Sequence, residues 1–472
     1  MRKRPMPPST DSPTGVPCHT RDDLERRLLR KLDLRTMSII VVMSALNSID
    51  QTNVSNARLA GYEADLHLEG NQYATILSIA YVGFIVMQLP ANMLLHWMQR
   101  PAVFLPSCMV AWGVISVLTG ITKNYTAAFV TRFFLGFVEA PFTPGVLFLI
   151  SGWYKRDEIA LRTSIVLCGT LLSTVFGSVL ASSIVLTSMQ GVLGLAAWRW
   201  LFYITGSITI LAAICAVFIL PDFPHNTRWL TPEERALAVS RLAEDNELEK
   251  RTTVQGLWDA VSDWKVWWFS VAFVIQCIAQ SFFIYFPTLV FTLGYNLKQT
   301  LLLCTPPWVF AVIIALALSK HSDKAQRRYI YIFASNAIAV IGVVISMCTM
   351  NTAARYISLF LMAQVIGGGM VLWAWINNTF AREPAKRAAA IALINGLSQV
   401  GNMIGSFVWP SNWGPTYRYS YGVCFAALGV STSMFGVLHL YLKYVNKQIE
   451  KNERDAKDVN ELRVPIGFRY LV

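Results

Sequence analysis

Residues 221–264 read PDFPHNTRWLTPEERALAVSRLAEDNELEKRTTVQGLWDAVSDW, and this is the longest polar stretch inside an otherwise apolar chain. Immediately before it lies 198–220, an apolar run ending Cys215-Ala216-Val217-Phe218-Ile219-Leu220; immediately after it comes 265–290, rich in Trp, Phe and Val. A bilayer core takes about 20 apolar residues per spanning helix. Runs of that length recur at 37–57, 72–95, 101–121, 125–152, 163–188 and 198–220 on one side of the polar stretch, and at 265–290, 299–319, 328–350, 354–380, 388–410 and 420–444 on the other. Unpaired strand edges do not survive in lipid, so every run reads as a helix. The sequence therefore predicts an all-α integral membrane protein with twelve transmembrane helices in two pseudo-symmetric six-helix bundles. The expected parts are a tail 1–36, a bundle 37–220, a linker 221–264, a bundle 265–444 and a tail 445–472.

The charges test the count. Twelve spans put both tails, the linker and the loops near Arg100, Lys155–Arg162, Lys320–Arg328 and Arg382–Arg387 on one side. That side holds 33 of the 40 Lys and Arg. The opposite loops hold six (Arg58, Lys123, Arg199, Lys298, Arg355 and Arg418), and Arg132 lies within a span. Basic residues gather on the cytoplasmic side, which assigns both tails and the linker to the cytoplasm. Adding or removing one helix would scramble this division.

Only 14% of the residues are charged, against roughly 25% in soluble domains. The net charge of +12 follows the loop pattern and needs no nucleic-acid partner. The eight cysteines lack paired or CxxC spacing and read as small apolar residues, with no metal or disulfide. Within the linker, Thr231-Pro232-Glu233-Glu234 has the form of a capping box and starts a short helix running to about Ala243. Asn124-Tyr125-Thr126 fits a glycosylation acceptor in a loop too short for use. Gly367-Gly368-Gly369 lies in an apolar span without a following Lys-Ser/Thr, so it reads as close helix packing.

Several stretches carry a family resemblance. They are Asp50-Gln51-Thr52-Asn53-Val54-Ser55-Asn56-Ala57, Gln88-Leu89-Pro90-Ala91-Asn92 with Leu95-His96, Arg132-Phe133-Phe134-Leu135-Gly136-Phe137-Val138-Glu139-Ala140 with Pro144-Gly145, and Trp153-Tyr154-Lys155-Arg156 with Glu158 and Arg162. Together they resemble the anion:cation symporter family of the major facilitator superfamily, in its fungal allantoate, nicotinate and pantothenate permease-like branch. The resemblance covers residues 30–445. It implies the major facilitator fold, a midplane site, and binding and coupling roles for Arg132 and Glu139. Two departures stand out. The loop after span 2 keeps only Arg100 of the usual charged set, whereas Ser322-Asp323-Lys324 with Arg327-Arg328 is fuller. Gln51 occupies the position where the family usually has an Arg implicated in anion binding.

An ionisable group at the bilayer centre costs about 2.5–3.5 kcal/mol on insertion scales, so it needs a partner or a wet cavity. Arg132 and Glu139 are seven residues apart, which on a helix is about 20° short of two turns, and both face one way. The functional reading is a cationic anchor for a substrate carboxylate beside an acid that takes up and releases a proton; the other reading is a structural ion pair. Asp50 lies toward the outer third of span 1, either as a second proton-coupling group or as a helix-end partner of Arg58. Tyr81, Gln280, Tyr285 and Asn395 are candidate substrate-binding residues together with Gln51 and Arg132, and Gln399, Asn377 and Asn378 are further options. Interhelical hydrogen bonding is the alternative use of each. Trp373 and Trp375 read as packing or cavity wall.

These readings lead to a secondary transporter that moves a small organic solute, a carboxylate, by proton-coupled alternating access. It requires no cofactor and has the substrate, protons and the lipid bilayer as its partners. The expected location is the plasma membrane. An exporter on the same fold is one alternative, favoured by Gln51. A non-transporting nutrient sensor is another, disfavoured by short tails. No nucleophile–base pair or nucleotide loop points to an enzyme.

Overall fold

The computed structural model describes residues 18–98, 100–186, 194–224, 227, 229–246, 253–380, 384–455 and 469–471. Arg382, the tail residues 1–17 and 456–468, and the side chains of Leu89, Asn92, Leu95, His96 and Arg156 lie outside the described residues. Every regular element among the described residues is a helix. Eleven helices are long and apolar enough to cross a bilayer, and Gln72–Met98, apolar over Gln72–Gln88, supplies the twelfth.

Several spans are broken where the sequence reading drew one helix. Span 4 is Tyr125–Glu139 followed by Phe142–Ser151, interrupted at Pro141, which cannot donate to the helical ladder. Span 7 stops at Ala279 and resumes as Phe286–Phe291, with Pro287 in its first turn. Span 10 breaks at Gln364 between Thr352–Ala363 and Val365–Thr379. Span 12 runs much further than the sequence suggested, from Arg418 to Asp455.

The two halves repeat one pattern of neighbours. Span 1 packs on span 5, 2 on 4 and 3 on 6; correspondingly, 7 packs on 11, 8 on 10 and 9 on 12. Small residues set these distances. A Cβ on Gly136 would lie 1.9 Å from the Ala80 carbonyl oxygen, and one on Gly401 would lie 2.3 Å from that of Val274. In lipid, such close backbone approach supplies the dispersion contact that holds helices together. Of the three consecutive glycines in span 10, Gly367 and Gly368 pack against Ala315 and Ser335, while Gly369 faces open space.

The hydrophobic cores reveal the conformation. At the end away from the linker one core joins both halves, with Tyr62, Tyr73 and Trp198 on one side and Phe282, Tyr285 and Trp409 on the other. At the linker end there are two cores, one per half. The halves are therefore sealed at one end, and the cleft between them opens toward the linker. Arg58 fastens the seal. Its guanidinium carbon sits 4.5 Å from the Tyr73 ring centre and 5.2 Å from that of Tyr285. Its Nε pairs with Glu63 at 3.0 Å, and its Nη2 donates to Ser411 Oγ at 2.9 Å.

At the linker end the first tail is structured over Cys18–Leu32 and continues through one wide turn, Asp33–Met37, into span 1 (Ser38–Ala57). Leu28 and Leu32 pack with Leu230 and Leu237 of the linker. The linker helix Pro232–Asn246 starts with the reciprocal capping bonds, Thr231 N to Glu234 Oε2 (3.0 Å) and Glu234 N to Thr231 Oγ1 (3.2 Å). Lys31 pairs with Glu234 at 2.9 Å, Arg241 with Glu25 at 2.7 Å and Glu158 at 2.8 Å, and Arg162 with Asp33 at 2.9 Å. The Trp153–Arg162 stretch thus ties the tail, the linker and the loop after span 4 into one charged network.

Candidate functional site

The middle of the first bundle holds three of the sequence-predicted charges. Arg132 and Glu139 are both buried on the first segment of span 4, Glu139 at its last residue beside the Pro141 break. They do not bridge each other among the described residues. The Arg132 guanidinium lies 5.3 Å from the Phe202 ring centre, and its Nε and Nη2 are buried without a hydrogen-bond partner. Tyr62 Oη is buried in the same cluster, against the Arg132 guanidinium. Glu139 accepts from Gln51 Nε2 at 3.3 Å through Oε2, while its Oε1 is buried and unpartnered. Buried polar atoms without partners cost about 1–3 kcal/mol each, and this bundle carries several in one place.

Gln51 is exposed in span 1 and also donates to Asn47 Oδ1 at 3.3 Å. Gln51 therefore reaches Glu139 through a neutral amide. Tyr81 is half-buried on span 2, within electrostatic reach of Glu139 and Arg132 and of Cys277 in the opposite half. Gln51, Tyr81, Arg132 and Glu139 thus come together on spans 1, 2 and 4.

Asp50 occupies different surroundings. It is 1% exposed. Its Oδ1 accepts from Asn53 (3.2 Å) and Ser116 (3.3 Å), and its Oδ2 from Thr209 (3.2 Å). Asn53 in turn donates to Thr205 at 2.9 Å. Asp50 is thus held by the Asn53 amide and by hydroxyls of spans 3 and 6, while Arg58 bonds elsewhere, to Glu63 and Ser411. Asp50 remains within electrostatic reach of Arg132.

The second half contributes less. Gln280 caps the first segment of span 7, and its Nε2 is buried and unpartnered. A broken helix whose end carries a free polar group is the usual form of a midplane site in transporters. Asn395 is half-buried in span 11, next to Gly396, whose face meets Gln88 of span 2. Gln399 instead accepts from Asn402 at 2.9 Å, and Asn377 from its exposed position bonds the Trp373 carbonyl at 3.0 Å. Tyr285 lies apart from the cleft set. It donates to the Ser406 carbonyl at 2.7 Å and stacks on Trp409, so it belongs to the sealed end. Trp373 packs edge-on against Phe273, and Trp375 against Phe269.

Sequence reasoning missed the seal of Arg58, Tyr73 and Tyr285, since cation–aromatic contacts across halves leave no local signature. It also missed the tail helix, whose Leu24, Leu28 and Leu32 recur every four residues and could have revealed it. Among the described residues, no cluster of His, Cys, Asp and Glu could hold a metal.

Comparison with known proteins adds a family match, two relatives and two solved structures. The sequence pattern of the Major Facilitator Superfamily matches residues 40–406. The chain is 32% identical to the MFS-type transporter cnsO of Penicillium expansum, over 93% of this chain and 86% of that protein. It is 27% identical to an Agrobacterium vitis protein named for tartrate transport, over 81% of this chain and 87% of that one. Among solved structures, an inward-facing, occupied bacterial homologue of the human lysosomal transporter Spinster has the same fold, with TM-score 0.67 and 15% identity over 85% of this chain and 95% of that one. A D-xylose-proton symporter has TM-score 0.65 at 14% identity, over 84% and 95%.

Proposed function

The chain belongs to the Major Facilitator Superfamily and is a transporter rather than an enzyme, and from that premise we propose that it is a proton-coupled symporter of a small organic carboxylate. The observation that carries this reading is the pair on span 4. Arg132 has two buried N–H groups without partners, and Glu139 has one carboxylate oxygen bound by Gln51 and one without a partner. A guanidinium offers a carboxylate a planar two-pronged donor, and an uncommitted buried carboxyl can accept a proton. Tyr81 stands within electrostatic reach of both, and Gln280, with a free buried amide at the break in span 7, is the contribution of the second half on this reading. Asn395 completes the set. Asp50 acts from behind the wall, through the field it shares with Arg132 and Glu139. Its three hydrogen bonds keep it out of substrate contact.

The resemblance to the anion:cation symporter family and the relative named for tartrate transport support a carboxylate. The division of basic residues supports cytoplasmic tails and linker, with bundles over 37–220 and 265–444, and the location on this reading is the plasma membrane. On this assignment the sealed end faces outward. Rocking of the halves moves the site from one side to the other. A membrane potential of 100 mV adds about 2.3 kcal/mol per translocated charge to uptake.

Export on the same fold is the second reading. Gln51 favours it, because a neutral amide at the usual Arg position weakens tight anion capture. Reconstitution in liposomes with radiolabelled carboxylates separates the two. Symport gives accumulation driven by an inward proton gradient, and Glu139→Gln abolishes that accumulation while counterflow exchange persists. Absence of gradient-driven uptake for every carboxylate, or unchanged accumulation in Glu139→Gln, overturns the proposal.

A further inference from the structure

On the flank of the second bundle, at the linker end, a cavity of about 600 Å³ lies between the start of span 9 (Tyr329–Cys348) and the end of span 12. Arg327, Ile330 and Phe333 line it from one side, His439 and Lys443 from the other. A second cavity of about 440 Å³ shares Arg327 and Ile330 with it. The two therefore adjoin at Arg327 and Ile330 and are treated as one groove.

The walls are amphipathic. Ile330 is 52% exposed and Phe333 48%, in the first turns of a membrane span. Arg327 and Lys443 are exposed at the same level, and among the described residues neither pairs with an acid. Asp323, the nearest acid in the loop, is taken by Arg328 at 2.6 Å. Tyr329 and His439 stack at 4.8 Å between the cations, and Gly436 makes the seat: a Cβ there would lie 2.8 Å from Tyr329 Oη. His439 Nδ1 is buried without a hydrogen-bond partner. The span 9 helix also starts without a side-chain cap, leaving first-turn amides free.

We propose that this groove binds one anionic phospholipid, its phosphate held by Arg327 and Lys443 and an acyl chain lying along Ile330 and Phe333. Two unpaired cations above exposed apolar side chains at a membrane boundary match a charged headgroup above hydrocarbon. A soluble anion would use the cations but leave Ile330 and Phe333 unexplained. Both walls belong to the same half, so the lipid stays seated while the halves rock. The site is separate from the cleft and does not depend on what the cleft carries.

The test is native mass spectrometry of the detergent-solubilised full chain, titrated with phosphatidylserine or phosphatidylcholine. One phosphatidylserine is retained in preference to phosphatidylcholine. Juxtamembrane cations contribute about 1 kcal/mol each, so Arg327→Gln and Lys443→Gln each weaken retention about fivefold, and together about thirtyfold. The paired control Lys298→Gln with Arg418→Gln, at the sealed end, leaves retention unchanged, and glycerophosphoserine without acyl chains fails to displace the lipid. Melting temperature in phosphatidylcholine confirms that each variant is folded. Equal retention of both lipids, an equal loss in the control pair, or displacement by glycerophosphoserine overturns the proposal; the last would mark a site for a soluble phosphate.

Discussion

Replacing Arg58 by Gln should unlock the sealed end. Four contacts hold this guanidinium, but only two cross between the halves. Tyr73 and Glu63 sit in the same half as Arg58 and move with it when the halves rock. The Tyr285 ring at 5.2 Å and Ser411 Oγ at 2.9 Å belong to the other half. A partly desolvated cation–aromatic contact contributes about 1 kcal/mol, and a hydrogen bond to a charged donor contributes about as much again. Together they favour the sealed state by about 2 kcal/mol, which is about a thirtyfold shift in a two-state equilibrium. The assay is spin-label distance measurement between Glu69→Cys and Asn351→Cys, two exposed positions on opposite halves at that end, after removal of the native exposed cysteines. Arg58→Gln should move population from the short to the long distance. Glu63→Gln, which touches only the within-half pair, should leave the distribution alone. An unchanged distribution in Arg58→Gln, or the same shift in Glu63→Gln, would refute the reasoning.

Three further predictions concern other parts of the molecule. Gln51→Arg places a cation beside Glu139, so competition assays should show tighter binding of monocarboxylates and weaker binding of their neutral amides; unchanged selectivity would remove position 51 from the site. Gly136→Ala puts a methyl 1.9 Å from the Ala80 carbonyl oxygen, so span 4 must shift, at about 1–3 kcal/mol or more, whereas Gly369→Ala meets open space. Fluorescence-detected gel filtration should show loss of the folded peak for the first and a normal peak for the second. Burial works against the Glu234 carboxylate, but the Lys31 ammonium and the Thr231 backbone amide outweigh it and hold the group below its ordinary value of 4.5. A carboxyl held low in the folded state stabilises above 4.5 and loses that contribution as pH falls through the folded value. Hydrogen exchange of the linker helix should therefore be slow at pH 7 and, corrected for intrinsic rates, faster once the pH falls well below 4.5. In Lys31→Gln the loss should begin at a higher pH.

The twelve helices were legible because hydrocarbon thickness fixes their length, and apolar length is a local property. Arg132 and Glu139 were legible for the same reason: a charge inside an apolar run is conspicuous. Asp50 was equally conspicuous, yet its surroundings were not. Whether it faces the cleft depends on Ser116 and Thr209, which lie on other helices 66 and 159 residues away. Tyr285 shows the same limit. Its phenol could have lined a cavity, but the chain turns it into the seal through Ser406 and Trp409. The break in span 4 was signalled by Pro141, yet an apolar run reads alike whether the helix is continuous or interrupted.

The shared core at one end has a thermal consequence. Parting the halves there hydrates the aromatic surface around Tyr73 and Tyr285, and hydration of apolar area raises heat capacity. The other mouth is walled by two cores already complete in themselves, so its closure returns less apolar area from water. The rocking equilibrium therefore carries a net heat-capacity change, and its enthalpy varies with temperature. Cooling weakens the seam, warming strengthens it, and the logarithm of the transport rate against reciprocal temperature follows a curve rather than a line.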